Sequence, residues 1–295
     1  MDIEVDYLDR TGASSTVRIN MSLPCFLKHA ALAGRANHLS FAAAVTRSLG
    51  ILMANHEYFS FKFPKGWIGF SPLPPYIFDP TELGDFSTIA GRAVGDYLAK
   101  KLLRANLSHS YEAVMHMLGY QMKGPRPDLY CVTANEQFAL EAKGYTKSSC
   151  GPSAMAVRKA QACSGPVPVQ FAFASVTYNL HGAVKCKFHD PVIPDSDFNP
   201  RLNAALAFNY YESLYQQMTA LGQPEKVTFN FREYVAYELD LRYFSYYPRR
   251  IRLLLPRDVE RQLSAAQYLE FRHEQYDSEQ ESVYIDSDGV GVQVF

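Results

Sequence analysis

A chain of 295 residues, 47% hydrophobic and 20% charged, has ample material for a core and suits one large domain or two modest ones. Its five cysteines are an odd number without paired metal spacing, which argues against a disulfide framework and against a zinc finger. The net charge of −1 hides an asymmetry: residues 100–187 hold eleven Lys and Arg against four acids, whereas residues 188–295 hold ten against seventeen. A basic segment of this kind points weakly to a polyanionic partner.

The chain opens with two strand-like stretches, "IEVDYL" and "STVRINM". Helices are expected near Leu23–Ala33 and Ser40–Asn55, the second with Ser40 as its N-cap. The apolar run Phe41–Ala54 is too short to span a membrane and carries Arg47, and no positively charged start with an apolar stretch opens the chain. A cytoplasmic protein without membrane contact is therefore expected. Alternating aromatics in "FSFKFPKGWIGF" read as a hairpin leading into a proline-rich loop. "DFSTIAGRAVGDYLAKKLLRANL" reads as a helix whose Gly91 and Gly95, four apart, fit a close contact with another helix. Residues 1–107 thus read as a mainly helical N-terminal region, and 108–295 as a second region with its core at about 108–190 and a C-terminal extension.

That core has a definite order. "SHSYEAVMHMLGYQMKGP" reads as a helix, with Tyr111, Met115, Leu118 and Met122 on one stripe and a stop at Gly124–Pro125. The strands "DLYCVTA" and "QFALEAK" follow, joined at Asn135–Glu136, and then a helix near Ser153–Cys163. "VPVQFAFASVTYN" is apolar enough for the middle of a sheet. The tail reads as a long helix from Pro200 to about Leu221, mixed elements, a solvated acidic stretch Glu270–Asp288 and a final hairpin at Asp288–Gly289. The fold class is mixed α/β.

The hairpin carries charges where packing should be best. Alternation along a strand puts Glu141 and Lys143 on one face. A two-residue turn at Asn135–Glu136 pairs Ala134 with Gln137, which sets Asp128 opposite Lys143 and Tyr130 opposite Glu141. Two carboxylates and a lysine on one patch suit a hard cation such as Mg²⁺. The bland alternative is an exposed hairpin end with a surface ion pair between Asp128 and Lys143.

Pro127-Asp128, twelve residues and Glu141-Ala142-Lys143, between a helix before and a helix and strand after, resemble the signature of the PD-(D/E)xK (restriction-endonuclease-like) nuclease superfamily. The likeness covers roughly Ser108 to Asn179 and implies a nuclease, cutting DNA ahead of RNA, with Mg²⁺ as cofactor and Mn²⁺ able to substitute. It implies Asp128 and Glu141 as metal ligands, Lys143 as the catalytic lysine and Glu112, on the preceding helix, as a third ligand. Gln161 matches a glutamine that some members carry, but no tyrosine follows four residues on, a departure from the exonuclease-like branch. Lys123, Arg126, Lys147, Arg158 and Lys159 are the candidate contacts to backbone phosphates. The family also suggests an effector in a defence or mobile-element system, beside a partner subunit or as a homodimer. A non-catalytic module of the same fold is the alternative. A third reading takes Cys150 in "SSCGPSAMAV", which resembles the nucleophile segment of papain-like peptidases, with His181 or His189 as base and Asp190 or Asn179 orienting it.

Overall fold

The structure is a computed structural model and describes residues 1–34, 47, 50–62, 66–71, 79–191, 196–218, 224–240, 250–264, 278–279 and 282–295. The chain is mixed α/β and forms two compact units that interleave along the sequence, Met1–Met21 with Asn55–Phe198 and Ser22–Ala54 with Asn199–Phe295. No helix among the described residues is long and apolar enough to cross a membrane.

The first unit is built on a seven-stranded sheet. Strands β1 (Asp2–Leu8) and β2 (Ser14–Asn20) form its first edge, ahead of α1 (Leu23–Leu32), which belongs to the second unit. A separate hairpin of β3 (Phe59–Lys62) and β4 (Gly66–Phe70) precedes α2 (Pro80–Leu103). Next come β5 (Leu107–Ser110), α3 (Tyr111–Met117), β6 (Leu129–Val132), β7 (Gln137–Gly144), α4 (Pro152–Ala162), β8 (Phe171–Tyr178) and β9 (Lys185–His189). The order across the sheet is β2-β1-β9-β8-β7-β6-β5, so the apolar β8 is central, as its composition predicts. Strands β5, β6 and β7 run antiparallel in a meander, and β8 is parallel to β7.

Helix α2 begins at Asp79, whose carboxylate accepts from Thr81 N–H at 2.7 Å, with Pro80 at its first position. Its Gly91 and Gly95 do mark a close contact, but with the sheet and not with a helix. A Cβ on Gly91 would lie 2.1 Å from Gly144 N, and one on Gly95 would lie 2.9 Å from the Ala142 side chain. This contact is why no boundary falls at residue 107: α2 packs on β7 and β8, so the stretches before and after share one core. Strands β1 to β4 fall on the two strand-like stretches and the hairpin expected of the first 107 residues, and only the start of β5 adds to them.

The expected helix from Ser108 begins late and ends early. Leu107–Ser110 pairs with β6, with His109 opposite Tyr130, and this pairing outweighs the helical stripe. Gly119, at φ 74°, lies just beyond the short helix, and Leu118 and Met122 stand exposed. His109 and His116 therefore do not share a helix. His109 is fully buried on β5, and burial, then the nearby Lys100 charge, lowers its pKa to about 3.

The second unit holds a six-stranded antiparallel sheet. Beyond α5 (Pro200–Met218) come β10 (Glu225–Phe229), β11 (Arg232–Asp240), β12 (Arg250–Pro256), α6 (Arg257–Ser264), β13 (Ser278–Glu279), β14 (Val283–Ile285) and β15 (Gly291–Val294). The sheet order is β10-β11-β12-β15-β14-β13. The final hairpin forms as expected, between β14 and β15. The end of the acidic stretch is not a solvated face: Asp286 and Asp288 are buried and grip Lys28 of α1 at 2.6 and 2.7 Å. Tyr210 adds a hydrogen bond to Asp288 at 3.0 Å, so the buried ion pair is also hydrogen-bonded. Residues 270–277 and most of the expected Ser40–Asn55 helix lie outside the described residues.

Candidate functional site

The turn between β6 and β7 decides where the charges go. Val132 pairs with Gln137 and Leu129 with Leu140, leaving the four residues 133–136 as the turn in place of the expected two. Thr133 is the reason. Its N–H donates to Glu136 O at 2.8 Å, and its hydroxyl accepts from Glu136 N–H at 3.0 Å, so the side chain organises a longer turn. The register moves by two positions, which keeps every side chain on its expected face. One step beyond the last pair, Asp128 comes against Glu141 and not against Lys143.

Asp128 is tied to the neighbouring strand by its own backbone and side chain. Its N–H donates to Leu140 O at 3.1 Å, and its Oδ2 accepts from Ala142 N–H at 3.0 Å. Its other oxygen, Oδ1, accepts from Arg92 of α2 at 3.1 Å. Glu141 is only 2% exposed, and Asp128 pairs with Arg92 and not with Lys143, so the surface ion pair of the bland alternative is not formed among the described residues. Ala142 faces α2, so alternation turns Glu141 to the opposite face, where Arg158 of α4 donates to its Oε1 at 3.1 Å. Gln161 holds that arginine in place. It accepts from Arg158 at 2.6 Å and donates to Arg126 O at 3.0 Å.

The second oxygen of Glu141, Oε2, is buried and accepts no hydrogen bond among the described residues. Burial, then the negative charge of Asp128, pushes the Glu141 carboxyl up to about 8 against the opposing pull of Arg158, and a side-chain hydrogen bond with Asp128 adds to the rise. A buried carboxyl and a partly exposed carboxylate held together form a donor set that a divalent cation fits. Lys143 lies two residues along β7 on the same face, partly exposed, with no ion pair among the described residues.

The other expected site residues divide. Glu112 is half-exposed on α3 and pairs with Arg126, its carboxylate accepting from Arg126 Nε at 2.7 Å, so it does not join the two carboxylates. Among the described residues no group of three or more acidic, His or Cys side chains is placed to hold a metal. Lys123 and Lys147 are exposed and Lys159 is half-buried, all on the same unit as the carboxylates.

The thiol alternative does not assemble. Burial pushes the Cys150 thiol up, the reverse of an activated nucleophile. His181 binds Ser71 O at 2.7 Å, His189 lies 3.3 Å from the Asp6 carboxylate, and Asn179 is occupied by Ala183 O at 2.7 Å. Neither histidine is hydrogen-bonded to Cys150.

Arg92 is the site residue that sequence reasoning missed. The sequence marked only a close approach at Gly91; the structure shows that Gly91 presses the α2 backbone onto β7, so a long side chain one residue later starts beside the motif. No protein-family model, no curated protein and no solved structure matches this chain.

Proposed function

We propose that this centre hydrolyses phosphodiester bonds of a nucleic acid, DNA ahead of RNA, with Asp128 and Glu141 holding Mg²⁺ or Mn²⁺. The observation that carries the reading is the Glu141 carboxyl, buried and held against a second carboxylate. Such a group is costly to the fold, and a cation shared with Asp128 relieves the cost. The order of elements supports a restriction-endonuclease-like core: α2, the meander β5–β7 with the motif, α4, and the parallel strand β8. When bound, the cation polarises the scissile phosphate and stabilises the charge that develops there.

The chain's own residues supply the rest. Before nucleic acid arrives, Arg158, held by Gln161, orients Glu141 through Oε1. The Ala142 N–H fixes Asp128. Lys143, with no ion pair among the described residues, orients the attacking water and balances charge as it forms. Lys123, Lys147 and Lys159 contact backbone phosphates, an interaction that weakens with salt.

The test incubates the protein with plasmid, linear DNA and RNA in Mg²⁺ or EDTA, beside Glu141→Gln. Cleavage that requires Mg²⁺ and vanishes in the folded variant supports the reading. Salt-sensitive binding without cleavage favours a non-catalytic module of the same fold. Activity indifferent to EDTA but abolished by iodoacetamide favours Cys150.

A further inference from the structure

Each carboxylate of the centre already has a guanidinium. Arg92 sits 3.1 Å from Asp128 and Arg158 sits 3.1 Å from Glu141. They come from helices on opposite faces of the sheet, α2 and α4, and converge on the same pair of strands. Neither arginine is saturated: the Nε of each is buried without a hydrogen-bond partner among the described residues. A guanidinium fork that fits a carboxylate also fits a phosphate, and a buried, unused N–H is a donor waiting for a second acceptor.

The charges point the same way. Two carboxylates face three cationic side chains, Arg92, Arg158 and Lys143, so positive groups outnumber acidic ones before any ligand arrives. A divalent cation entering alone adds to that surplus and must also compete with Arg92 for Asp128 Oδ1 and with Arg158 for Glu141 Oε1 if it is to use those oxygens. Moreover, among the described residues only two carboxylates meet here, with Glu112 engaged by Arg126. A hard cation needs more oxygens than that, and a phosphate ester brings them together with negative charge.

We propose that Arg92 and Arg158 are exchangeable counter-ions: they hold the carboxylates until a backbone phosphate takes them over, so the centre accepts a divalent cation together with nucleic acid and not on its own. This rests on the nuclease reading above. Arg92 on this account contacts the substrate, moving from Asp128 to a non-bridging phosphate oxygen as the cation enters.

Ca²⁺ is the probe, being an oxygen-seeking cation that reports binding, with a gel run on each sample to check that the nucleic acid stays intact. Calorimetry measures its affinity for the wild type and for Arg92→Gln, Arg92→Lys and Arg158→Gln. Each is titrated alone, with a short phosphorothioate-protected DNA duplex, and with a neutral methylphosphonate duplex. In the wild type the charged duplex should strengthen Ca²⁺ binding at least about tenfold, Ca²⁺ should strengthen duplex binding by the same factor, and the neutral duplex should do neither. Arg92→Gln should bind Ca²⁺ alone more tightly than the wild type does, because a competitor is gone, and should lose most of the enhancement by duplex. Arg92→Lys, which keeps the charge without the fork, should fall between, and thermal melts identify any variant that does not fold. Equal Ca²⁺ affinity with and without duplex, unchanged in the variants, makes the arginines permanent clamps and overturns the proposal. If no protein binds Ca²⁺ under any condition, the nuclease reading itself falls and takes the proposal with it.

Discussion

Replacing Glu141 by glutamine should make the protein more stable at neutral and alkaline pH, and the size of the gain should depend on pH. The Glu141 carboxyl titrates at about 8 in the folded chain, against 4.5 for an unperturbed glutamate. Between those values the native state keeps a proton that the unfolded chain has released, so stability falls as pH rises, and above about 8 the full penalty is present. One pH unit across this window costs about 1.4 kcal/mol. From pH 6.5 to 8 the wild type should lose about 2 kcal/mol through this one group. The side chain of the Glu141→Gln variant would stay neutral throughout; its oxygen still accepts from Arg158, and its amide finds the Asp128 carboxylate as acceptor. The window avoids His109, whose pKa near 3 makes its own contribution fade only as pH drops below about 6.5. Urea unfolding in EDTA at several pH values across the window reads the difference directly. Parallel stability profiles for the two proteins would show that Glu141 carries no burial penalty, and the argument for a cation-seeking centre would lose its energetic basis.

Three further outcomes are expected. Gly91→Ala should destabilise by about 3 kcal/mol or more, since its Cβ would lie 2.1 Å from Gly144 N and neither backbone can retreat; a thermal melt within a degree or two of wild type would contradict the packing. Tyr111→Phe should cost about 1–3 kcal/mol, because the hydroxyl donates to Val167 O at 3.1 Å and accepts from Val167 N–H at 2.8 Å, leaving two buried backbone groups unpaired when it goes; chemical denaturation checks this. Lys28→Met should cost about 3–5 kcal/mol by stranding the buried Asp286 and Asp288 carboxylates, and adding Asp286→Asn and Asp288→Asn should recover part of the loss in calorimetric melts.

How much of this was legible in the sequence depended on how local the cause was. Alternation and turn residues are local, so the strands around Asp128 and Glu141, the apolar central strand and the last hairpin could be read directly. Sharing of a face also survived, because parity is insensitive to a shift by two. The pairing itself was not legible: the Thr133 hydroxyl lengthened the turn, and nothing in "TANEQ" announces that its threonine would bind Glu136 at both ends. The segment Leu107–Ser110 failed for the opposite reason. Its sequence suits a helix, and only β6 alongside, distant in the chain, makes it a strand. Arg92 lay beyond a motif search because it comes from a helix 36 residues before its carboxylate. Glu141's burial was equally hidden, since the helix that covers it follows the motif.

The clasp between Lys28 and Asp288 has a consequence for synthesis. The two residues are 260 positions apart, so the lysine leaves the ribosome long before its acceptors exist. At about 5–20 residues per second the delay is roughly 13–52 seconds. During that interval α1 has its apolar side and an ammonium with no counter-charge, and the ammonium holds the segment in water. The same charge that becomes a burden once enclosed thus acts as a solubilising tag on the nascent helix. Closing the hairpin at Asp286–Val290 then removes the tag and completes the sheet in one event, so the second unit should acquire its stability late and cooperatively, with the last few residues acting as its latch.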